Sequence, residues 1–184
     1  YVGHANGFVL IFSNGLRVDG DLSTANLDPG LRVTSYGDGP SYHIVQFSGP
    51  IRAEWRAQLE AAGAAIIAYV PNYAYLVRAD DATITRAKSN RDLRDAGLFQ
   101  PAYKLSKGLD VSRSGATELM VVFFNDEDMM LSLQHLGALG AIVHRSSDNG
   151  INKLAQITLD GSRLRELARL REVAWIQPYA MPVI

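Results

Sequence analysis

The chain has 184 residues, of which 47% are hydrophobic and 20% are charged, with a formal net charge of −1 and no cysteine. This composition is typical of a globular protein with one or two small cores. It argues against nucleic-acid binding, which usually requires a strongly basic surface, and it excludes disulfides and thiolate metal sites. No apolar run approaches the ~20 residues that span a membrane, so we expect neither a nucleic acid nor a membrane as partner.

Residues 1–41 predict an N-terminal arm. They contain one apolar run, at residues 8–12, among many turn residues such as Asn14-Gly15 and Asp28-Pro29-Gly30. The run has the length of a short strand. We therefore expect the arm to dock on a neighbouring domain through this strand.

The next segment predicts six elements in the order β-α-β-β-α-β. The first helix places Ile51, Trp55, Leu59 and Ala62 on one stripe, and Gly63 is a typical stop signal after it. In order, the elements are a strand at 43–47, a helix from 51, strands at 65–70 and 74–78 around the turn Pro71-Asn72, a helix at 82–90 capped by Asp80-Asp81, and a strand through Leu98-Phe99.

Residues 116–184 predict the same order again. The elements are a strand at 118–124, a helix that carries Met129, Leu133 and Leu136 and is capped by Asn125-Asp126, strands at 141–144 and 153–159 around Asp148-Asn149-Gly150, a helix at 163–171 capped by Ser162 or Asp160, and a strand at 173–176.

Sequence matches between the two segments indicate an internal duplication. At an offset of 77, Tyr42-His-Ile-Val-Gln-Phe47 aligns with Leu119-Met-Val-Val-Phe-Phe124, Gly63 aligns with Gly140, and Leu98-Phe-Gln-Pro101 aligns with Trp175-Ile-Gln-Pro178. The middle hairpin is about three residues longer in the second copy, where Ile157-Thr-Leu-Asp160 matches Val77-Arg-Ala-Asp80.

The repeated order predicts an α+β protein with two tandem ferredoxin-like lobes. Each lobe is expected to have an antiparallel four-stranded sheet with both helices on one face. We place the first lobe at 42–109, a linker at 110–115 and the second lobe, with a C-terminal tail, at 116–184.

The first strand of the second lobe is apolar on both of its faces. The offset of 77 aligns Val122 and Phe124 with the helix-covered residues of the first lobe. It therefore predicts that Leu119, Val121 and Phe123 point to the open face of the sheet. An apolar open face needs a cover, which is the other lobe, the N-terminal arm or a partner protein.

No motif of a catalytic, metal or cofactor site was found. The four histidines lack the i, i+4 pairing of zinc proteases, and no G-x-S-x-G sequence occurs. The carboxylates of Asp126-Glu127-Asp128 suit a helix N-terminus better than a calcium loop. We therefore expect no catalytic residue, no metal and no cofactor.

Three segments resemble the propeptides of bacterial subtilisin-like serine proteases. They are Tyr42-His-Ile-Val-Gln-Phe-Ser-Gly-Pro-Ile51 followed by Trp55, Tyr69-Val-Pro-Asn-Tyr-Ala-Tyr-Leu-Val77, and Pro101-Ala-Tyr-Lys-Leu105. The resemblance covers about residues 42 to 184, and the second lobe looks like a degenerate copy that ends in Val173-Ala-Trp-Ile-Gln-Pro-Tyr179. Typical propeptides of this family have one such lobe, whereas this chain has two.

The resemblance implies an intramolecular chaperone and autoinhibitor of a secreted subtilisin-like endopeptidase. Its partner is then the cognate protease domain, which such propeptides bind through the open sheet face. The C-terminal tail of the family lies extended in the substrate cleft, an expectation that Pro178 and Pro182 favour. The residues so assigned to the cleft are Tyr179, Ala180, Met181, Pro182, Val183 and Ile184.

Two other functions fit the same elements. Paired ferredoxin-like domains can bind amino acids as ligand-sensing regulatory modules. Alternatively, the chain is a non-catalytic structural module of a secreted protease.

Overall fold

The structure, a computed structural model, describes residues 10–11, 17–18, 22 and 26–179. The chain divides into two units, the first with residues 1–27 and 34–99 and the second with residues 28–33 and 100–184. Within the described ranges, no helix is both long enough and apolar enough to cross a bilayer.

The first unit contains a four-stranded antiparallel sheet and two helices. Its elements are β1 (Leu10–Ile11), β2 (Arg17–Val18), β3 (Ser41–Phe47), α1 (Ala53–Ala61), β4 (Ala65–Val70), β5 (Ala74–Ala79), α2 (Asp81–Ala87) and β6 (Leu93–Leu98). The strand order of the sheet is β4-β5-β3-β6, and β1 and β2 form a separate antiparallel pair. Of the predicted strand at 8–12, residues 10–11 form β1, and residues 8, 9 and 12 lie outside the described residues.

The core of the first unit lies between the sheet and its helices. Val45 and Phe47 of β3 belong to one buried cluster with Trp55 and Leu59 of α1. The predicted helix signals are correct, because Gly63 follows α1 with a φ of 108°. An added Cβ makes this φ unfavourable, so glycine is the natural residue at this stop.

Leu22 of the N-terminal arm packs on the opposite face of the first sheet. Tyr42, Ile44 and Gln46 alternate with the core residues of β3, yet they are only 1%, 0% and 1% exposed. Gly97 pairs with Ile44 and lies so close to Leu22 that a Cβ at position 97 would be 2.9 Å from Leu22 Cβ. In the first unit, both faces of the sheet are therefore buried at β3.

The second unit repeats this architecture. Its elements are β7 (Ala116–Phe123), α3 (Met129–Ala138), β8 (Ile142–Asp148), β9 (Lys153–Asp160), α4 (Leu164–Ala168) and β10 (Val173–Pro178). The strand order is β10-β7-β9-β8, with every neighbouring pair antiparallel. Short 3₁₀ turns lie at Pro29–Leu31, Pro101–Lys104 and Gly161–Arg163.

The helix caps of the second unit differ in part from the prediction. Asp128, rather than Asn125-Asp126, caps α3, and its Oδ1 accepts a hydrogen bond of 2.9 Å from Leu131 N. Asp160, one of two predicted candidates, accepts a bond of 2.9 Å from Ser162 N and begins the 3₁₀ turn before α4.

Both sheets have the same strand order when they are read from the last strand of each unit: last, first, third, second. Each unit also follows the order β-α-β-β-α-β. This is the ferredoxin-like arrangement, so the predicted fold class, α+β with two tandem ferredoxin-like lobes, is confirmed.

The division between the units falls earlier than the predicted lobe boundary at residue 109. Residues 100–109 lie in the second unit, because Leu105 forms a parallel bridge with Ile176 of β10 and Ser106 N donates a bond of 2.9 Å to Ile176 O. This segment therefore extends the second sheet at its β10 edge and is not the end of the first lobe.

Candidate functional site

The second sheet has an open face, which we define as the side that carries Met120, Val122, Leu154 and Trp175. Val122 pairs with Leu154 on β9 and with Trp175 on β10, so the three side chains form one row across the sheet. Met120 lies in the next row along β7. All four are partly exposed. Residues directly opposite each other in a sheet share a face, and the row is therefore a continuous apolar strip.

The predicted positions of Leu119, Val121 and Phe123 are wrong. These side chains are 0%, 0% and 2% exposed and belong to the buried cluster that includes Leu136 of α3 and Leu167 of α4. They face the helices, not the open side of the sheet. As core residues they cannot present a docking surface.

A one-residue error in the alignment of the repeats caused this inversion. Val45 and Phe47 correspond in the structure to Val121 and Phe123, at an offset of 76, because both pairs face the helices of their unit. Side chains alternate along a strand, so a slip of one residue moves every side chain to the other face. The Val-x-Phe sequence of the first strand could not set the register, because the second strand contains it twice, at Val121–Phe123 and at Val122–Phe124.

A polar cluster lies beyond the apolar strip on the same face. Glu118 is paired with Thr158 across β7 and β9, and their side chains are hydrogen-bonded. His144 Nε2 lies 2.6 Å from Thr158 Oγ1 and 3.8 Å from Glu118 Oε2. The open face thus has an apolar end at Trp175 and a polar end at His144.

Strand β10 connects the open face to the predicted cleft tail. Trp175 Nε1 donates a bond of 3.0 Å to Gln177 Oε1 on this strand. Tyr179 N donates a bond of 3.0 Å to Glu118 O, so the pairing with β7 continues past the last residue of the strand. The remaining predicted tail residues, Ala180, Met181, Pro182, Val183 and Ile184, lie outside the described residues.

Trp175 is a candidate site residue that the sequence analysis did not identify. Trp55, the other tryptophan of the chain, is 9% exposed and lies in the core of the first unit. Trp175 instead lies on the open face and is partly exposed. A partly exposed tryptophan on an apolar strip is typical of a protein-binding surface.

A buried group of charged side chains occupies the interior of the second unit. Lys104 is 1% exposed, and its Nζ donates a bond of 2.7 Å to Leu170 O. Burial lowers the pKa of Lys104 from 10.5 to about 7, while the charges of Glu172 and Glu127 act in the opposite direction. Glu172 is also buried, and its Oε1 lies 2.6 Å from His135 Nδ1. We assign this internal group to the stability of the unit.

Comparison with known proteins gives few matches. Residues 16–100 match a family described as a domain of unknown function, DUF8729. No curated protein matches the chain. The small subunit of acetolactate synthase from Thermotoga maritima is 17% identical, and its match covers 76% of this chain and 92% of that chain with a TM-score of 0.23. A similarity of this size carries no argument about function.

Proposed function

We propose that the chain is the propeptide region of a secreted subtilisin-like serine protease, where it acts as intramolecular chaperone and autoinhibitor. The observation that carries the proposal is the open face of the second sheet, because an apolar strip and the strand that leads to the C-terminal tail occur together there. The resemblance of the sequence to such propeptides supports the same function.

The second unit is the one that docks in this proposal. The corresponding face of the first sheet is occupied by the chain itself, since Leu22 packs against Gly97 and Ile44 is fully buried. The open face around Val122 keeps its apolar side chains partly exposed. Docking through the first unit would require displacement of Leu22, which costs the free energy of its buried contacts.

The dimensions of the open face indicate that the tail is also needed. Four strands about 4.8 Å apart, each with about three outward residues, make a face of roughly 400 Å². A stable protein complex buries about 800 Å² on each partner. In this proposal, residues 180–184 add further contact in the cleft by strand addition. We therefore expect the face and the tail to contribute separately to affinity.

Binding of this kind explains both parts of the function. A folded propeptide that binds the native or near-native protease lowers the barrier to a slow, non-local fold. The same binding occupies the substrate cleft and inhibits the protease by mass action. The chain itself contributes no catalytic group in this mechanism.

The test is inhibition of the cognate protease domain by the purified chain, measured with a chromogenic peptide substrate. We expect inhibition at micromolar concentration. Val122→Glu places a charge in the centre of the apolar strip and should weaken inhibition by at least about tenfold, or about 1.4 kcal/mol. Ile151→Glu introduces the same charge at a residue that is 71% exposed and lies off the strip, so it should inhibit like the native chain.

Circular dichroism melting of both variants checks that each remains folded. Absence of inhibition by the native chain at micromolar concentration would refute the propeptide function. Equal inhibition by the native chain and both variants would leave the function standing and show that the open face is not the docking surface.

A further inference from the structure

The first unit contains a cleft between its two helices that the propeptide function does not use. It has a volume of about 280 Å³ and lies over the start of β6. Apolar residues form its floor and polar residues form its rim. The lining residues on the floor are Phe47, Trp55, Leu59, Ala62, Ala87 and Leu93, and those on the rim are Gln58, Arg86, Ser89 and Asn90.

An aromatic pair forms the floor of the cleft. The rings of Phe47 and Trp55 are stacked, with their centroids 5.3 Å apart and an angle of 10° between their planes. The cleft is lined by two small residues, Ala62 directly after α1 and Ala87 at the end of α2, which leave it open. The aromatic and aliphatic floor suits an aromatic or branched aliphatic group, which it can contact through dispersion.

The rim carries one ionisable side chain, and it is a cation. Among the ten residues that line the cleft, Arg86 alone is charged. Its Nη2 donates bonds of 3.1 Å to Ala62 O and 3.0 Å to Thr83 Oγ1, which hold the guanidinium in place. No described residue accepts a hydrogen bond from its Nη1 or Nε. A guanidinium has five N–H donors, so donors remain for a ligand.

Other polar groups of the rim are engaged with one another. Asn90 Nδ2 donates a bond of 3.1 Å to Gln58 Oε1, and Ser89 Oγ donates a bond of 2.7 Å to Arg86 O. Asp80 feels the charge of Arg86, and its Oδ1 accepts a bond of 2.7 Å from Thr83 N at the start of α2. The cleft therefore offers an anion one preorganised partner, which is Arg86.

We propose that this cleft binds a small aromatic or branched aliphatic carboxylate, with the apolar group on the apolar floor and the carboxylate on Arg86. Because Nη2 donates its hydrogens to Ala62 and Thr83, the carboxylate accepts a charge-assisted hydrogen bond from Nη1 or Nε. The volume of the cleft equals that of about nine water molecules at ~30 Å³ each. This limits the ligand to one aromatic ring system, single or fused, or one branched side chain, with a short carboxylate arm. The inference is independent of the proposed protease function.

The test is isothermal titration of the full chain with indole-3-acetate and phenylacetate as probes. A ligand of this size is expected to bind with a dissociation constant of about 0.1–1 mM. The matched neutral probe, phenylacetamide, should bind at least about tenfold more weakly, because it cannot form the ion pair with Arg86. Equal binding of phenylacetamide and phenylacetate would overturn the proposal.

Two variants locate the site. Arg86→Gln should lower the affinity for phenylacetate at least about tenfold, whereas Arg56→Gln, which removes an equivalent cation from the exposed side of α1, should leave it unchanged. Ala87→Leu fills the cleft and should abolish binding; because Ala87 is buried and overpacking can destabilise a core, circular dichroism melting checks that this variant remains folded. Retained affinity for phenylacetate in Arg86→Gln, or in a folded Ala87→Leu variant, would overturn the proposal. The absence of binding heat when the native chain is titrated with either probe at millimolar concentration would overturn it as well.

Discussion

Truncation of neighbouring residues on β7 tests which side of the second sheet faces the helices. Leu119 is 0% exposed and lies in the core beside α3 and α4, whereas Met120 is partly exposed on the open face. Leu119→Ala removes about three methylene equivalents at ~0.8 kcal/mol each and leaves a cavity, so its expected cost is about 2–5 kcal/mol. Met120→Ala leaves no enclosed cavity and should cost less than about 1 kcal/mol.

The assay is urea unfolding of the full chain, followed by the fluorescence of Trp175 in a Trp55→Phe background. The chain has two tryptophans, one in each unit, so this background isolates the signal of the second unit. For a domain of this size, a loss of 2–5 kcal/mol lowers the melting temperature by at least about 8 °C. The face assignment is refuted if Met120→Ala costs as much as Leu119→Ala, or if Leu119→Ala is neutral.

Three further predictions concern the second unit. Because the pKa of Lys104 is about 7 in the fold against 10.5 when the side chain is exposed, the unfolded state binds more protons between these values, and stability should rise with pH. In urea unfolding between pH 7 and 9, the free energy of unfolding should rise by up to about 1.4 kcal/mol per pH unit, and this rise should be absent in Lys104→Met. A free energy of unfolding that falls with pH in the native chain, or a rise that persists in Lys104→Met, would contradict this assignment. Deletion of residues 180–184 should weaken protease inhibition at least about tenfold, measured as the inhibition constant, while the melting temperature changes little because the bond of Tyr179 N to Glu118 O is kept; full inhibition by the truncated chain would show that the tail lies outside the cleft. Asp128→Ala should destabilise the second unit by about 1 kcal/mol in thermal unfolding, whereas Asn125→Ala should be close to neutral, and the reverse order would contradict the observed cap.

The duplication could be predicted from the sequence, but its register could not be fixed by one offset. The glycines that end the first helix of each unit, Gly63 and Gly140, do match at 77, and both have a positive φ. The first strands match at an offset of 76. The third strands match at an offset of 80, which also aligns Asp80 with Asp160, the two residues that cap the element after each third strand. Loops of different length separate these anchors, so each strand needs its own alignment.

One of the three sequence matches that indicated the duplication, between residues 98–101 and 175–178, has no structural counterpart. Ala96 pairs with Val45 and Ile176 pairs with Val121, so the last strands correspond at an offset of 80 rather than 77. The shared Gln-Pro sequence therefore aligned Pro101, which begins a 3₁₀ turn of the second unit, with a residue inside β10. A correct conclusion about the repeat rested in part on a coincidental match.

Long-range packing explains what the sequence did not reveal. The burial of Lys104 depends on Leu170, which is distant in sequence and supplies the carbonyl oxygen that accepts the hydrogen bond from Lys104 Nζ. The cover over Ile44 depends on Leu22, which local periodicity does not link to β3. Hydrophobic patterns report which residues are buried on one element, but they do not report which distant segment buries them.

Recovery of activity from the denatured protease domain, refolded with and without an equimolar amount of this chain, tests the proposed function most directly. The proposal predicts that the native chain raises the rate and yield of recovered activity, once the inhibitory complex is released by proteolysis of the chain. Val122→Glu should give less recovery than Ile151→Glu at the same concentration. Recovery that is the same with the native chain as without it would contradict a chaperone function.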